Sequence, residues 1–320
     1  MPTKKSKVVV VGSLNIDQVF RVSDLPARGE TISANHFQTT RGGKGANQAI
    51  SAARQGVEVA MIGSVGNDEN GRSYVTWLEE EENIDVSGIS KSKYPTGSAF
   101  ITVEEHTGEN TIIVAGGANE SLSRSTVQDL TPLIESASVL LVQLEVPVHT
   151  VVEAINIATR AGIPVVLNPS PMIPNFPWDD FAIAYVITNE TEAAELLEFK
   201  PESNDLDYVR QEIHERRIQN LIITRGSETT LVYTREGDFF EVEPLPVLPI
   251  DTVGAGDAFA GCFAARIAEG ASVEDAVRAA NCAGALTTLG GGAQNPIPDR
   301  EKVDQHLEQI PKRKLRTKRG

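Results

Sequence analysis

Three short stretches of this chain place glycines beside groups that can hold or move charge. The first is Asp251-Thr-Val-Gly-Ala-Gly-Asp257-Ala-Phe-Ala-Gly261. Small residues at 254–256 let backbone N–H groups come close to a ligand, and a helix that starts there adds the positive end of its dipole. Gly254, Ala255 and Gly256 are thus a candidate anion hole for a transferring phosphoryl group. Asp257 falls in the first turn of that helix. A carboxylate there can take the proton from an alcohol as it attacks phosphorus. A plain glycine-rich helix start, with an acid complementing the dipole, fits the same residues equally well.

The second stretch is Arg41-Gly-Gly-Lys44-Gly-Ala-Asn47-Gln-Ala49. Its glycine spacing matches neither a Walker A loop nor a dinucleotide fingerprint. What remains is Lys44 and Asn47 on the first turn of a helix, a donor and a donor–acceptor suited to a polyhydroxylated ligand. A structural turn is the alternative. The third stretch, Gly12-Ser-Leu-Asn15-Ile-Asp17, follows a Val run. Residues two apart on a strand point the same way, so Asn15 and Asp17 could grip vicinal hydroxyls. Taken alone, an Asx-turn fits that segment better.

These groups need elements to hold them. Val8–Val11, Val59–Gly63, Val139–Val142, Pro164–Leu167, Tyr185–Thr188 and Leu221–Thr224 read as buried strands. Helical patterns lie between them, at Gly45–Gln55, Asn70–Glu82, Ser123–Ser136, Val148–Ala161, Thr191–Leu197 and Asp205–Arg217. This alternation predicts an α/β fold with a mostly parallel sheet covered on both faces. Gln18–Arg21, Thr31–Thr39, Ser98–Glu104 and Asn110–Val114 break the rhythm, with a turn expected around Gly108. They predict a small separate β-sheet, inserted at about 16–39 and 97–115, that covers the binding edge as a lid. A further hairpin is expected at Thr230–Tyr233 and Phe239–Val242, then two Ala-rich helices at Ala255–Ala268 and Val273–Leu289. Tyr74, Trp77 and Leu78 have core spacing on one helix, and the five histidines have no metal-ligand spacing.

The 320 residues carry 29 basic and 44 acidic side chains, a net charge of −15. Nine of the cations lie in residues 1–7 and 311–320, which hold no acid. The 20 that remain face all 44 acids, so residues 8–310 carry −24. Such a body repels phosphate backbones and argues against nucleic acid as a partner. No apolar run approaches the length of a membrane span, and no signal peptide is visible. Cys262 and Cys282 lie in the Ala-rich helical patterns and read as buried thiols of a reducing, cytoplasmic compartment. The expected organisation is a basic tail at 1–7, one domain at 8–310 and a basic tail at 311–320. The tails read as solvated termini.

The three stretches, in their order along the chain, resemble the signatures of the PfkB carbohydrate kinase family, and its ribokinase branch above all. The Gly42–Ala49 and Asp251–Gly261 blocks carry the likeness, with Asn15-Ile-Asp17, Gln143-Leu-Glu-Val-Pro147, Asn168-Pro-Ser-Pro171, Thr188-Asn-Glu-Thr-Glu192 and Gly292-Ala-Gln294. It runs from about Val8 to about Pro298. The resemblance implies a ribokinase-like three-layer sandwich with a β-sheet lid that also pairs two subunits into a homodimer. It implies ATP-dependent phosphorylation of the 5-hydroxyl of D-ribose. Fructose, a nucleoside or a keto-deoxy sugar acid are alternative acceptors, and a non-catalytic sensor is an alternative role. By the same resemblance, Asp257 is the general base, and Asn15, Asp17, Gly43, Lys44, Asn47 and Glu145 bind the sugar. Asn189 and Glu192 help place phosphate and Mg²⁺. Thr224, Gly226, Ser227, Gly256 and Asn281 bind ATP. Asp251, Val253, Thr287, Gly290 and Gly292 fall on the family's monovalent-cation site, which implies K⁺. The chain departs from the family at two places. Pro296 stands where many ribokinases have a serine ligand to that cation, and Thr229 stands where the nucleotide loop often has glycine.

Overall fold

A computed structural model describes residues 6–107, 109–198 and 206–311. Most of both basic tails and the turn residue Gly108 lie outside the described residues. In chain order the strands are β1 (Lys7–Val11), β2 (Asn15–Val22), β3 (His36–Gly42), β4 (Glu58–Gly66), β5 (Ile84–Ser92), β6 (Gly97–Glu104) and β7 (Asn110–Ala115). They continue as β8 (Val139–Gln143), β9 (Val165–Asn168), β10 (Ile183–Asn189), β11 (Ile218–Thr224), β12 (Thr230–Thr234) and β13 (Phe239–Val242). Nine form one sheet in the order β13-β12-β11-β10-β9-β8-β1-β4-β5. The seven strands from β11 to β5 pair in parallel; β12 runs against them, and β13, antiparallel to β12, returns to their direction.

The β-branched run of β1 explains the layers. Successive side chains point to opposite faces. Val8 and Val10 pack into a core with the helices Lys44–Arg54, Ala255–Ala268 and Val273–Thr287, while Val9 and Val11 pack into a second core with Val148–Arg160, Glu190–Leu197 and Leu206–Glu215. Each such buried side chain contributes about 1.5–3 kcal/mol. The Ala-rich C-terminal helices pack as closely as their composition implies. A side chain at Gly261 would lie 2.3 Å from the Gln48 carbonyl oxygen, and Ser51 Oγ donates to the Ala258 carbonyl at 2.7 Å. This contact fixes Asp257 relative to Asn47 and Gln48.

The remaining four strands form a second sheet in the order β3-β2-β6-β7, the expected lid. Its first insertion spans 15–42 rather than 16–39. The strand expected at Thr31–Thr39 sits at His36–Gly42, because its register is set by pairing from Asn15↔Gly42 to Arg21↔His36. Strands β2 and β6 bury Ile16, Val22, Ala99 and Ile101, whereas on the edge strand β7 Ile112, Ile113 and Val114 are 53%, 65% and 54% exposed. Backbone pairing therefore holds β7 more than apolar burial does. The helix expected at Ser123–Ser136 is two pieces, Arg124–Asp129 and Thr131–Glu135, with Pro132 in the first turn of the second. Lys7 belongs to β1 rather than to a tail, and its carbonyl accepts the Ser138 N–H at 2.7 Å.

Candidate active site

The conspicuous polar residues gather at the carboxyl ends of the parallel strands, where open α/β sheets bind ligands. Gly12–Asn15 follows β1, and Glu145 follows β8. Asn168 ends β9, Asn189 ends β10 and Thr224 ends β11. Asp257 reaches the same place from the first turn of helix Ala255–Ala268 and is buried. Its Oδ2 accepts Asn47 Nδ2–H at 2.9 Å, and its Oδ1 accepts Gln48 Nε2–H at 2.9 Å. Both carboxylate oxygens thus accept from amide donors, which fixes the orientation of the carboxylate in the cleft.

The candidate anion hole is the glycine-rich start of that helix. Gly254 caps it with φ 79°, a left-handed conformation that glycine adopts freely, and a Cβ there would lie 2.6 Å from the Ala293 carbonyl oxygen. The first N–H groups of a helix have no partner within it, and here Gly254, Gly256 and Asp257 line the cleft. Ala255 N–H makes a long 3.3 Å bond to the Thr252 carbonyl. The cleft has a volume of about 140 Å³, and its lining includes Lys44, Asn189, Glu192, Thr224, Gly256 and Asp257. Burial alone would lower the Lys44 pKa, but the carboxylates of Asp257, Glu145 and Glu192 outweigh it and raise it. Lys44 is therefore a fixed cation beside the anion hole.

On the sugar side, Asn15 and Asp17 enter on β2 and are buried. Burial, with the charges of Glu145 and Asp257 behind it, pushes the Asp17 carboxyl up to about 7. Gly42 and Gly43 are required by close approach. A Cβ on Gly42 would sit 2.0 Å from Asp17 Oδ2, and one on Gly43, at φ 92°, would meet the Asn15 nitrogen at 2.7 Å. Glu145 Oε2 accepts from Ser13 Oγ at 2.5 Å and from the Lys44 N–H at 3.1 Å. Glu145 thus ties the Gly12–Asp17 and Arg41–Ala49 stretches together.

On the nucleotide side, Asn189 and Glu192 form a capping box. Asn189 Oδ1 accepts the Glu192 N–H at 2.8 Å, and Glu192 Oε2 accepts the Asn189 N–H at 3.0 Å. The box holds the Glu192 carboxylate on the cleft wall, where an oxygen donor beside bound phosphates fits a hydrated Mg²⁺. Gly226 (φ 58°) and Ser227 stand exposed on the turn after β11. Thr229 is held within that turn, with Arg225 Nε donating to its carbonyl at 2.7 Å and its Oγ1 donating to Glu241 at 2.9 Å. Asn281 is buried beneath the β12–β13 hairpin, where its Oδ1 accepts from Thr230 Oγ1 at 2.8 Å and its Nδ2 donates to the Glu243 carbonyl at 3.0 Å. It is not among the residues lining the cleft described above.

Beside the anion hole, the Asp251 carboxylate accepts the Val253 and Gly292 N–H groups, each at 3.0 Å. This joins the segments that carry Asp251, Val253, Gly290 and Gly292. Pro296 packs on Gly290, where a Cβ would approach the ring to 2.7 Å. Thr287 is fully buried, with its hydroxyl donating to the Ala283 carbonyl at 2.8 Å. Among the described residues, no group of three or more His, Cys, Asp or Glu side chains could hold a metal on its own.

Several site residues carry no role in the sequence reading. Gln48 and Gln143 lie inside motifs, yet neither stands out as a site residue; Gln143 Nε2 donates to Gln48 Oε1 at 2.6 Å. Asn119 holds the Asn15 turn, with Nδ2 2.7 Å from Asn15 Oδ1 and Oδ1 accepting the Leu14 N–H at 2.9 Å. The sequence does hold one signal for it: Gly117-Ala118-Asn119 repeats the tripeptide Gly45-Ala46-Asn47.

A buried carboxylate held by amides, a helix-start anion hole and a lysine, under a lid on an α/β sandwich, define a phosphoryltransferase for a small polar acceptor. A family model described as pfkB family carbohydrate kinase matches residues 5–300, and the chain belongs to that family. It is 36% identical to the ribokinase of Haemophilus influenzae, over 95% of this chain and 99% of that one. It is 38% identical to a bifunctional ribokinase/ribose-5-phosphate isomerase A of Fructilactobacillus sanfranciscensis, over 93% of this chain but only 55% of that protein's length. The structure of Arabidopsis thaliana ribokinase complexed with ribose and ATP superposes with a TM-score of 0.84 at 30% identity, covering 96% of this chain and 99% of that one.

Proposed function

We propose that this chain transfers the γ-phosphoryl group of ATP to the 5-hydroxyl of D-ribose, giving ribose 5-phosphate. The observation that carries the reading is Asp257, a buried carboxylate in the first turn of a helix whose start, Gly254 and Gly256, lines the same cleft. Asn15, Asp17 and Glu145 hold the sugar hydroxyls. Asp257 accepts the 5-hydroxyl proton as the oxygen attacks phosphorus. The charge that spreads over the transferring group is met by the amides around Gly254–Gly256 and by Lys44. Glu192, positioned by Asn189, would hold Mg²⁺, which neutralises phosphate charge when bound. Thr224, Gly226, Ser227 and Asn281 serve the nucleotide. K⁺ would sit among the carbonyls of Asp251, Val253, Thr287, Gly290 and Gly292. The lid sheet excludes water, which would otherwise compete as nucleophile, and the exposed Phe37 and Phe100 on it support pairing of two lids in a homodimer. A cytoplasmic location is consistent with two buried free cysteines, and no described helix is long and apolar enough to cross a membrane.

Steady-state ADP release over a panel of ribose, fructose, nucleosides and keto-deoxy sugar acids, with and without K⁺, tests this. D-ribose is expected to give the highest kcat/KM. A clear preference for a nucleoside, or no turnover on any sugar, overturns the reading.

A further inference from the structure

Asn47 and Gln48 can serve Asp257 only with their amides turned one way. An amide rotated by half a turn would present oxygen to the carboxylate and repel it. Something must set that orientation. For Asn47 it is Gln294, which is buried and lies on the segment that follows Gly292. Gln294 Nε2 donates to Asn47 Oδ1 at 2.9 Å and to the Tyr74 hydroxyl at 2.6 Å. Gln294 Oε1 accepts Trp77 Nε1–H at 3.2 Å. The Tyr74 hydroxyl donates in turn to the Gly42 carbonyl at 2.6 Å.

The ends of this chain of bonds have no choice of role. An indole N–H can only donate, and a backbone carbonyl can only accept. Trp77 therefore forces Gln294 to present oxygen to it and nitrogen to the interior. Tyr74, having given its proton to Gly42, must accept from that nitrogen. The second Nε2 proton of Gln294 then fixes Asn47 with its oxygen toward Gln294 and its own N–H toward Asp257. The network has one consistent direction.

We propose that Gln294, oriented by Trp77 and Tyr74, is a positioning residue for the catalytic base: it sets the Asn47 amide so that Asp257 is held as a proton acceptor. This rests on Asp257 being the base of the reading above. The polarity thus passes to the base from helix Glu69–Glu80, which carries Tyr74 and Trp77.

The test is Gln294→Glu, close to isosteric but unable to donate to Asn47 when ionised. It is assayed for ADP release with ribose in the wild-type and Asp257→Asn backgrounds. With Asp257 present, kcat is expected to fall about 30-fold while the KM for ATP stays within twofold. In the Asp257→Asn background, where the substituted amide can itself donate to a flipped Asn47, the same change is expected to cost less than twofold. Losses that multiply across the two backgrounds, or a single-variant kcat within twofold of wild type, overturn the proposal. Should Gln294→Glu not fold, Trp77→Phe carries the test: kcat about threefold lower in the wild-type background and unchanged in the Asp257→Asn background, or the proposal fails. Wild-type protein that does not phosphorylate ribose would instead overturn the functional reading, so the two failures are separable.

Discussion

The two halves of the cleft use glycine for opposite ends. On the sugar half, Gly12, Gly42, Gly43 and Gly45 are glycines because protein fills the space a side chain would need, with atoms at 2.0–2.7 Å from each missing Cβ. On the phosphate half, Gly254 is packed against Ala293, but Gly226 and Gly256 have nothing within 4 Å. The first half is assembled before any ligand arrives, with its polar atoms bonded to one another. The second leaves room and bare N–H groups for an anion that the chain does not supply. Asp257 stands at the boundary, braced by the first half and aimed at the second.

The largest expected effect breaks that boundary without touching either half. Asp257→Asn should lower kcat about 10²–10⁴-fold while ATP affinity, read by calorimetric titration, stays close to wild type. Near-normal turnover would remove Asp257 as the base.

A second test concerns what pre-assembly costs. Burial raises the Asp17 pKa from 3.8 to about 7, so the folded state binds this proton more tightly than the unfolded chain does. Ionising Asp17 therefore costs stability. The cost is absent below about pH 4, grows between there and pH 7, and is fully present above. Asp17→Asn should stabilise the sugar-free protein at pH 8 by up to about 4 kcal/mol, with the gain vanishing toward pH 4, while ribose binding collapses. Denaturant unfolding at the two pH values reads the first part. A variant less stable than wild type at pH 8 would contradict it.

The smallest effect sharpens the contrast directly. Gly42→Ala puts a methyl group onto Asp17 and should cost about 1–3 kcal/mol of stability, along with ribose affinity. Gly256→Ala enters open space and should shift stability by less than about 0.5 kcal/mol, yet lower kcat by crowding the phosphoryl group. Equal stability losses in the two variants would erase the distinction between the halves.

Much of this is legible in the sequence where local pattern and local chemistry coincide. The helix at Ala255–Ala268 lies where its small residues and the acid in its first turn put it, and the buried strands stand out because both of their faces are apolar. The polar edge strand β5 escapes such a reading, since its Ile-Asp-Val-Ser-Gly-Ile alternation is interrupted by a shift in register between Ala60 and Ile62 of its partner. Helix Arg300–Leu307 escapes it too, as it buries only Val303. Within the site, side chains that act across long separations are the hard ones. Nothing local to Gln48 or Gln294 says that each will meet a partner on the far side of the fold, whereas Lys44 and Asp257 sit in stretches whose glycines already declare a ligand.

Those separations bear on how the molecule comes into being. Asn47 and Asp257 are 210 residues apart in the chain, and Arg54 reaches 240 residues forward to donate to the Gln294 carbonyl. Contacts of such span form late, after the closure entropy of nearly the whole chain has been met. The residues of the lid and of the first strands are made long before Asp257 is. The cleft is therefore complete only once helix Ala255–Ala268 is packed against helix Lys44–Arg54.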